Sequence, residues 1–197
     1  MLTHLRRALI LAVLMIVFTF IYAFAGTGIS QLFFGHQANG SITSAGSTLI
    51  GQNWSSSKFF HGRPDDTGPY AANVKNHVSG GDNPLVANGV SGESGATNLG
   101  PRSKVLLADT KQLVAYWHAR GVNPTPDLVT TSGSGYDPDI TAQDAIVQIP
   151  MVSQATGISP SRLRALIAQE TQGPELGFLG SSFIDVLQLN EALAKLR

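Results

Sequence analysis

The sequence predicts an α+β protein with one N-terminal transmembrane helix followed by a single soluble, helix-rich α+β domain. Three observations predict it. Ala8 to Ala25, ALILAVLMIVFTFIYAFA, carries no charge and no proline. Three later segments place apolar residues at helical spacing, each with a recognisable start signal. Few segments alternate with period two, so more helix than sheet is expected.

The apolar run comes first. Its 18 residues span about 27 Å as a helix at about 1.5 Å per residue, close to the roughly 30 Å hydrocarbon core. The helix can extend through Leu32, Phe33 and Phe34, because no Asp, Glu, Lys or Arg occurs between Arg7 and Lys58. Arg6 and Arg7 precede the run. By the positive-inside rule, residues 1–7 are expected in the cytoplasm, residues 8–34 form the membrane helix and its extension, and residues 35–197 form an extracytoplasmic domain. A cleaved signal peptide ending at Ala23-Phe24-Ala25 is the rival reading. The length of the apolar core and the uncharged stretch beyond Ala25 favour the anchor. Both readings put the soluble domain on the outer face.

The soluble part opens with Gly35 to Ser57, polar and rich in small residues, read as a loop with a short extended piece around Ser47–Ile50. Val78 to Thr97 holds five glycines and a near-repeat of Val-Ser-Gly, which reads as a flexible surface insertion. A helix is expected from Pro101 to Arg120, with Val105, Leu106, Leu113, Val114 and Trp117 on one face and Gly121 as its stop. A second helix begins after Thr141, where Thr141 and Asp144 have capping-box spacing. Ile146, Val147, Met151 and Val152 are its expected apolar side, and Pro150 is expected to kink or split it. Ser159-Pro160 starts a third, a cap followed by proline at the first helical position, with Leu163, Leu166 and Ile167 inward and Gly173 as its end. Phe183 to Leu189 alternates loosely and reads as a strand, after which Asn190 caps a terminal helix, Glu191 to Lys195.

Composition excludes several function classes. There is no cysteine, which removes disulfide frameworks, thiolate zinc sites and thiol catalysis. Acidic and basic residues balance at 13 each, so the concentrated positive field of a nucleic-acid binder is missing. No G-x-x-x-x-G-K-[ST] phosphate loop occurs, nor a phosphorylatable D-K-T-G. The five histidines show no metal-ligand spacing, and surface or capping roles are expected for them.

Two segments stand out as candidate sites. In Asp127 to Thr141, DLVTTSGSGYDPDIT, the residues Ser132, Gly133, Ser134, Gly135, Asp137 and Asp139 form a candidate ligand or partner loop. Alternating Gly and Ser can turn backbone N–H groups inward around an anion. Hydroxyls and carboxylates suit a hard cation. A rigid turn with Asp137 as a local cap is the plainest alternative, and all three readings stay open. In Phe59-Phe60-His61-Gly62-Arg63-Pro64, Phe60 and Arg63 are a candidate docking pair for a partner carboxylate, against the alternative of an arginine stacked on its own domain.

Read in order, HQANGS (His36–Ser41), GSTLIGQ (Gly46–Gln52), FHGRP (Phe60–Pro64), NLGP (Asn98–Pro101), the DLVTTSGSGYDPDIT segment, LGFLG (Leu176–Gly180) and DVLQLNEAL (Asp185–Leu193) form a series. With the N-terminal anchor, it resembles the C subunit of the bacterial Kdp potassium-transporting ATPase, the KdpC family, over essentially the whole chain. Asp139 stands where that pattern suggests histidine. Pro150 and Gln154 replace basic residues, Ser181-Ser182-Phe183 replaces a Glu-Pro-Arg-like turn, and Gly80 to Gly95 is an insertion.

The resemblance implies a non-catalytic accessory subunit in the bacterial inner membrane. Its partners would be a P-type ATPase catalytic subunit, a channel-like potassium-translocating subunit, a small single-helix subunit and the lipid bilayer, with no nucleic acid. It implies no intrinsic cofactor, ATP and potassium being used by the complex. It also implies a role in assembly and as a catalytic chaperone raising the ATPase subunit's affinity for ATP. Competing readings are an anchored envelope module that binds a small ion, and a hydrolase using Ser134 with Asp137 and a histidine.

Overall fold

A computed structural model describes residues 2–52, 54, 56–64 and 98–197. The expected insertion at 78–97 lies outside the described residues. The chain divides into two units, Met1–Ile42 and Thr43–Arg197.

The first unit is one long helix, α1 (Leu2–Phe33), followed by a single turn, α2 (Gly35–Ala38). α1 is long and apolar enough to cross a membrane, with a mean hydropathy of 2.7 over its most apolar window. Two of its hydroxyls are satisfied within the helix: Thr19 Oγ1 donates to the Met15 carbonyl at 2.8 Å and Thr27 Oγ1 to the Ala23 carbonyl at 2.9 Å. Back-bonding of this kind lets threonine sit in hydrocarbon without an unpaired donor. Past Phe34, the Asn39 amide donates to the Gly35 carbonyl at 2.6 Å and to the Gln31 side-chain oxygen at 3.1 Å, closing the chain back on the helix end.

The second unit is helix-rich α+β. Its helices are α3 (Lys104–His118), α4 (Ala142–Thr156), α5 (Pro160–Glu170) and α6 (Val186–Lys195), with a 3-10 turn at Asp127–Val129. A two-stranded antiparallel sheet pairs β1 (Asp139–Ile140) with β2 (Ile184–Asp185), Asp139 opposite Asp185 and Ile140 opposite Ile184. The two isoleucines are buried, so the sheet turns one face into the core and leaves the two aspartates together on the other. α4, α5 and α6 pack around Ile149, Val152, Leu163, Leu189 and Leu193, with Trp117 of α3 completing the core. The Trp117 indole N–H donates to the Leu128 carbonyl at 3.0 Å, tying α3 to the 3-10 turn.

Local caps explain where the helices begin. Ser103 Oγ accepts the Leu106 N–H at 3.3 Å at the start of α3. Thr141 and Asp144 form a reciprocal capping box on α4: Thr141 Oγ1 accepts the Asp144 N–H at 3.2 Å, and the Asp144 carboxylate accepts the Thr141 N–H at 2.7 Å. Ser159 caps α5 with Pro160 behind it, and Leu163, Leu166 and Ile167 are buried as the spacing predicts.

Six expectations are corrected. α4 is not split at Pro150, one of the two expectations there, but continues through it. Pro150 is exposed, so water can serve the helix carbonyl that proline leaves without a donor. The buried face of α4 passes through Ala145, Gln148, Ile149, Met151 and Val152, while Ile146 is exposed. Val105 of α3 is likewise exposed. The stretch after Phe183 is strand for only two residues, and α6 starts at Val186 because Asp185 Oδ1 accepts the Gln188 N–H at 2.8 Å. Asn190 is therefore not a cap but a buried residue inside α6. Finally, of the stretch Ser47–Ile50 only Ser47 is bridged; Thr48–Ile50 turns, with Ser47 Oγ accepting the Leu49 N–H at 3.1 Å.

Candidate functional site

The segment Phe60–Arg63 has no regular secondary structure, and its backbone meets side chains of α4 and α6 rather than a strand. Two buried carboxamides take the place of a strand ladder. The Phe60 N–H donates to Asn190 Oδ1 at 2.8 Å, and Asn190 Nδ2 donates back to the Phe60 carbonyl at 2.8 Å. The His61 N–H donates to Gln148 Oε1 at 2.8 Å, and Gln148 Nε2 donates to the His61 carbonyl at 3.0 Å. Each amide offers one donor and one acceptor, the inventory a peptide unit needs. Four backbone groups that would otherwise be buried and unpaired are satisfied.

This clamp positions Arg63. Its guanidinium donates to the Thr131 carbonyl at 3.0 Å and the Thr130 carbonyl at 3.4 Å, and it reaches the carboxylates of Asp137 at 3.5 Å and Asp127 at 3.8 Å. One arginine therefore spans both ends of the Asp127–Asp139 loop.

The loop is also tied within itself. Ser132 is buried and its Oγ accepts the Gly135 N–H at 3.1 Å, Ser134 Oγ accepts the Tyr136 N–H at 3.2 Å, and Asp137 Oδ1 accepts the Asp139 N–H at 3.1 Å. Gly135 takes φ +76°, where a side chain would be strained. From outside the loop, the Gly51 N–H donates to the Tyr136 carbonyl at 2.8 Å, and a Cβ on Gly51 would stand 2.9 Å from the Asp137 carbonyl oxygen. Glycine at 51 is what lets the two backbones approach this closely.

The N–H groups of Gly135, Tyr136 and Asp139 are thus taken by the loop's own side chains, and Asp137 faces Arg63. What the loop offers outward is the exposed tip Gly133-Ser134. Asp139 has its carboxyl raised to about 6, by burial first, then by the charges of Asp137 and Asp185. Among the described residues, no group of three or more His, Asp or Glu side chains is placed to hold a metal.

The structure separates the two halves of the docking pair. Phe60 is entirely buried, which corrects its reading as a docking residue: its ring belongs to the core. Arg63 is four-fifths buried and serves its own loop. His61 corrects the expectation of a surface histidine. It is buried, its Nε2 lies 3.1 Å from the Ser56 carbonyl, its ring packs against Trp117, and burial lowers its pKa to about 4. A ring buried in the core and made less basic in this way is a poor place to look for a hydrolase base. Sequence reasoning missed Gln148 and Asn190. The available signal was a polar residue falling on the apolar stripe of its helix, as Gln148 does between Ala145 and Ile149.

Comparison with known proteins places these features in a family. The family model described as KdpC, the K+-transporting ATPase c chain, matches residues 5–195. The Potassium-transporting ATPase KdpC subunit of Methylobacterium nodulans is 38% identical, over 100% of this chain and 98% of the relative. The proteins of the same name from Rhodopseudomonas palustris and Gloeobacter violaceus are 40% and 39% identical, over 87% and 89% of this chain and 86% and 87% of theirs. The match takes in the apolar N-terminal helix, the amide-clamped segment and the Arg63-bound loop alike. The chain belongs to the KdpC family, the c chain of the K+-transporting ATPase, and is an accessory rather than the catalytic subunit of that complex.

Proposed function

We propose that this chain stabilises a potassium-pumping assembly from the extracytoplasmic side, using the Ser132–Asp139 loop as a rigid docking surface for a partner subunit. The observation that carries this reading is Arg63. It is committed to Asp127, Asp137 and two loop carbonyls, so the loop is pre-ordered, and a pre-ordered loop loses little conformational entropy when it docks. The partners are the P-type ATPase catalytic subunit, the channel-like subunit and the small single-helix subunit. ATP and potassium are used by the complex. Arg6 and Arg7 before α1 favour a cytoplasmic N-terminus. ATP is then on the far side of the membrane, and a chaperone effect on ATP affinity acts as a coupling free energy between distant sites rather than by contact.

Gly133 gives a clean test. It is exposed, and a Cβ built on it meets no atom within 4 Å, so Gly133→Trp enlarges the docking surface without disturbing the fold. The expected result is a subunit with unchanged thermal stability whose recovery with the tagged complex falls at least tenfold. Undiminished recovery and undiminished ATP affinity of the complex would remove the loop from the interface.

A further inference from the structure

The segment after α5 returns to the sheet through a hairpin that the loop site does not use. Gln172 and Phe183 pair at its base, their N–H groups and carbonyls exchanging bonds of 2.8 and 3.1 Å, and Glu175 pairs with Leu179 near its tip, at 2.9 Å in both directions. The three residues between them are Leu176, Gly177 and Phe178. Leu176 and Gly177 both have positive φ, +53° and +81°. Gly177 adopts this without strain. Leu176 does not, because an L side chain with a Cβ is disfavoured there, and asparagine is the residue that tolerates it best.

Among the described residues of the second unit, Leu176 at 81% and Phe178 at 74% are the most exposed large apolar side chains, and Leu179 beside them is 52% exposed. The tip thus places leucine where asparagine would suit the turn better, and shows the leucine to solvent. Neither the local backbone nor the core accounts for that choice. From Thr171 to Ile184 the only charged residue is Glu175. A tip that grips a membrane surface carries lysine or arginine to meet anionic headgroups. This one has no cation, and its one charge has the wrong sign. An uncharged apolar socket on a protein fits it.

We infer that the Leu176–Leu179 hairpin tip inserts into an apolar, uncharged socket on another subunit of the potassium ATPase assembly, as a second contact besides the Ser132–Asp139 loop. The inference rests on the accessory-subunit reading above. Leu176 and Phe178 are its anchors, of the apolar and aromatic kind that dominates interface energetics.

Leu176→Asn separates docking from folding, since it relieves the strained backbone while removing the anchor. In the full chain co-expressed with the other subunits, Leu176→Asn and Phe178→Ser are expected to keep the thermal midpoint of the isolated chain, or to raise it for Leu176→Asn. Both are expected to cut recovery with the tagged complex at least tenfold. A photo-crosslinking phenylalanine at position 178 is expected to capture one other subunit. Recovery of both variants at the wild-type level overturns the inference and leaves the accessory role intact. So does a crosslink formed only to lipid, or only within this chain. Failure of the wild-type chain to co-purify overturns the accessory reading itself, and the hairpin contact with it.

Discussion

His61 folds with its ring neutral, and that has a measurable consequence. Burial lowers its pKa from 6.5 to about 4. Between those values the unfolded chain binds a proton that the folded chain does not, so stability is full above pH 6.5 and is lost as pH falls toward 4. At 1.36 kcal/mol per unit, the loss approaches about 3 kcal/mol. Urea midpoints measured from pH 7 to pH 4 should fall accordingly, and His61→Gln should flatten the curve. Asp139 acts with the opposite sign. Its raised pKa, about 6, means that the folded chain binds the proton more tightly, so this term favours the fold below pH 3.8 and is lost as pH rises through 6. Asp139→Asn should therefore raise the urea midpoint at pH 7, with the gain vanishing near pH 4 and the acid loss from His61 becoming steeper. A midpoint at pH 7 that is unchanged or lowered in Asp139→Asn would show that the carboxylate contributes a favourable contact that outweighs its desolvation.

At the scale of elements, the amide clamp between α4 and α6 governs the site. Gln148→Leu keeps the volume of the side chain but orphans the His61 N–H and carbonyl. Unpaired buried groups cost about 1–3 kcal/mol each, so a loss of roughly 2–4 kcal/mol is expected in chemical denaturation, with a similar loss for Asn190→Leu. Gly51→Ala should displace the Asp137 backbone, and is expected to broaden or shift the amide resonances of residues 135–139 while leaving those of α5 in place. This clamp also shows what could be read from the sequence. The Thr141–Asp144 box and the Ser159-Pro160 start are local, each complete within four residues, and both were legible. The partners of Phe60 and His61 stand 130 and 87 residues away, and no spacing rule reaches that far. Hence Phe60 read as a docking residue although the fold buries it, and Asn190 read as a cap although Asp185 does the capping. The expected split of α4 at Pro150 fails for a different reason. The tertiary packing of Ile149 and Val152 holds the helix together across Pro150, overriding a local preference that a sequence window weighs too heavily.

At the scale of the whole molecule, the N-terminal helix was legible from a long uncharged apolar run, and the helix-rich domain from apolar residues at helical spacing. The ordered series of short motifs carried the family. The site was legible only as a loop of unusual composition. Its order comes from Arg63, 64 residues before Asp127 in sequence and joined to it at 3.8 Å by the fold. The central claim is that this ordered domain works outside the cytoplasm, where it can brace the assembly but cannot touch ATP. Because the chain has no cysteine, one introduced at Ser161, an exposed position on α5, reports its side of the membrane. Cells with permeabilised outer membranes but intact inner membranes are treated with an impermeant maleimide and compared with fully lysed cells. Labelling before lysis, at the level seen after it, is the result expected here. Labelling only after lysis would contradict the account and make direct contact with nucleotide the leading explanation of any effect on ATP affinity.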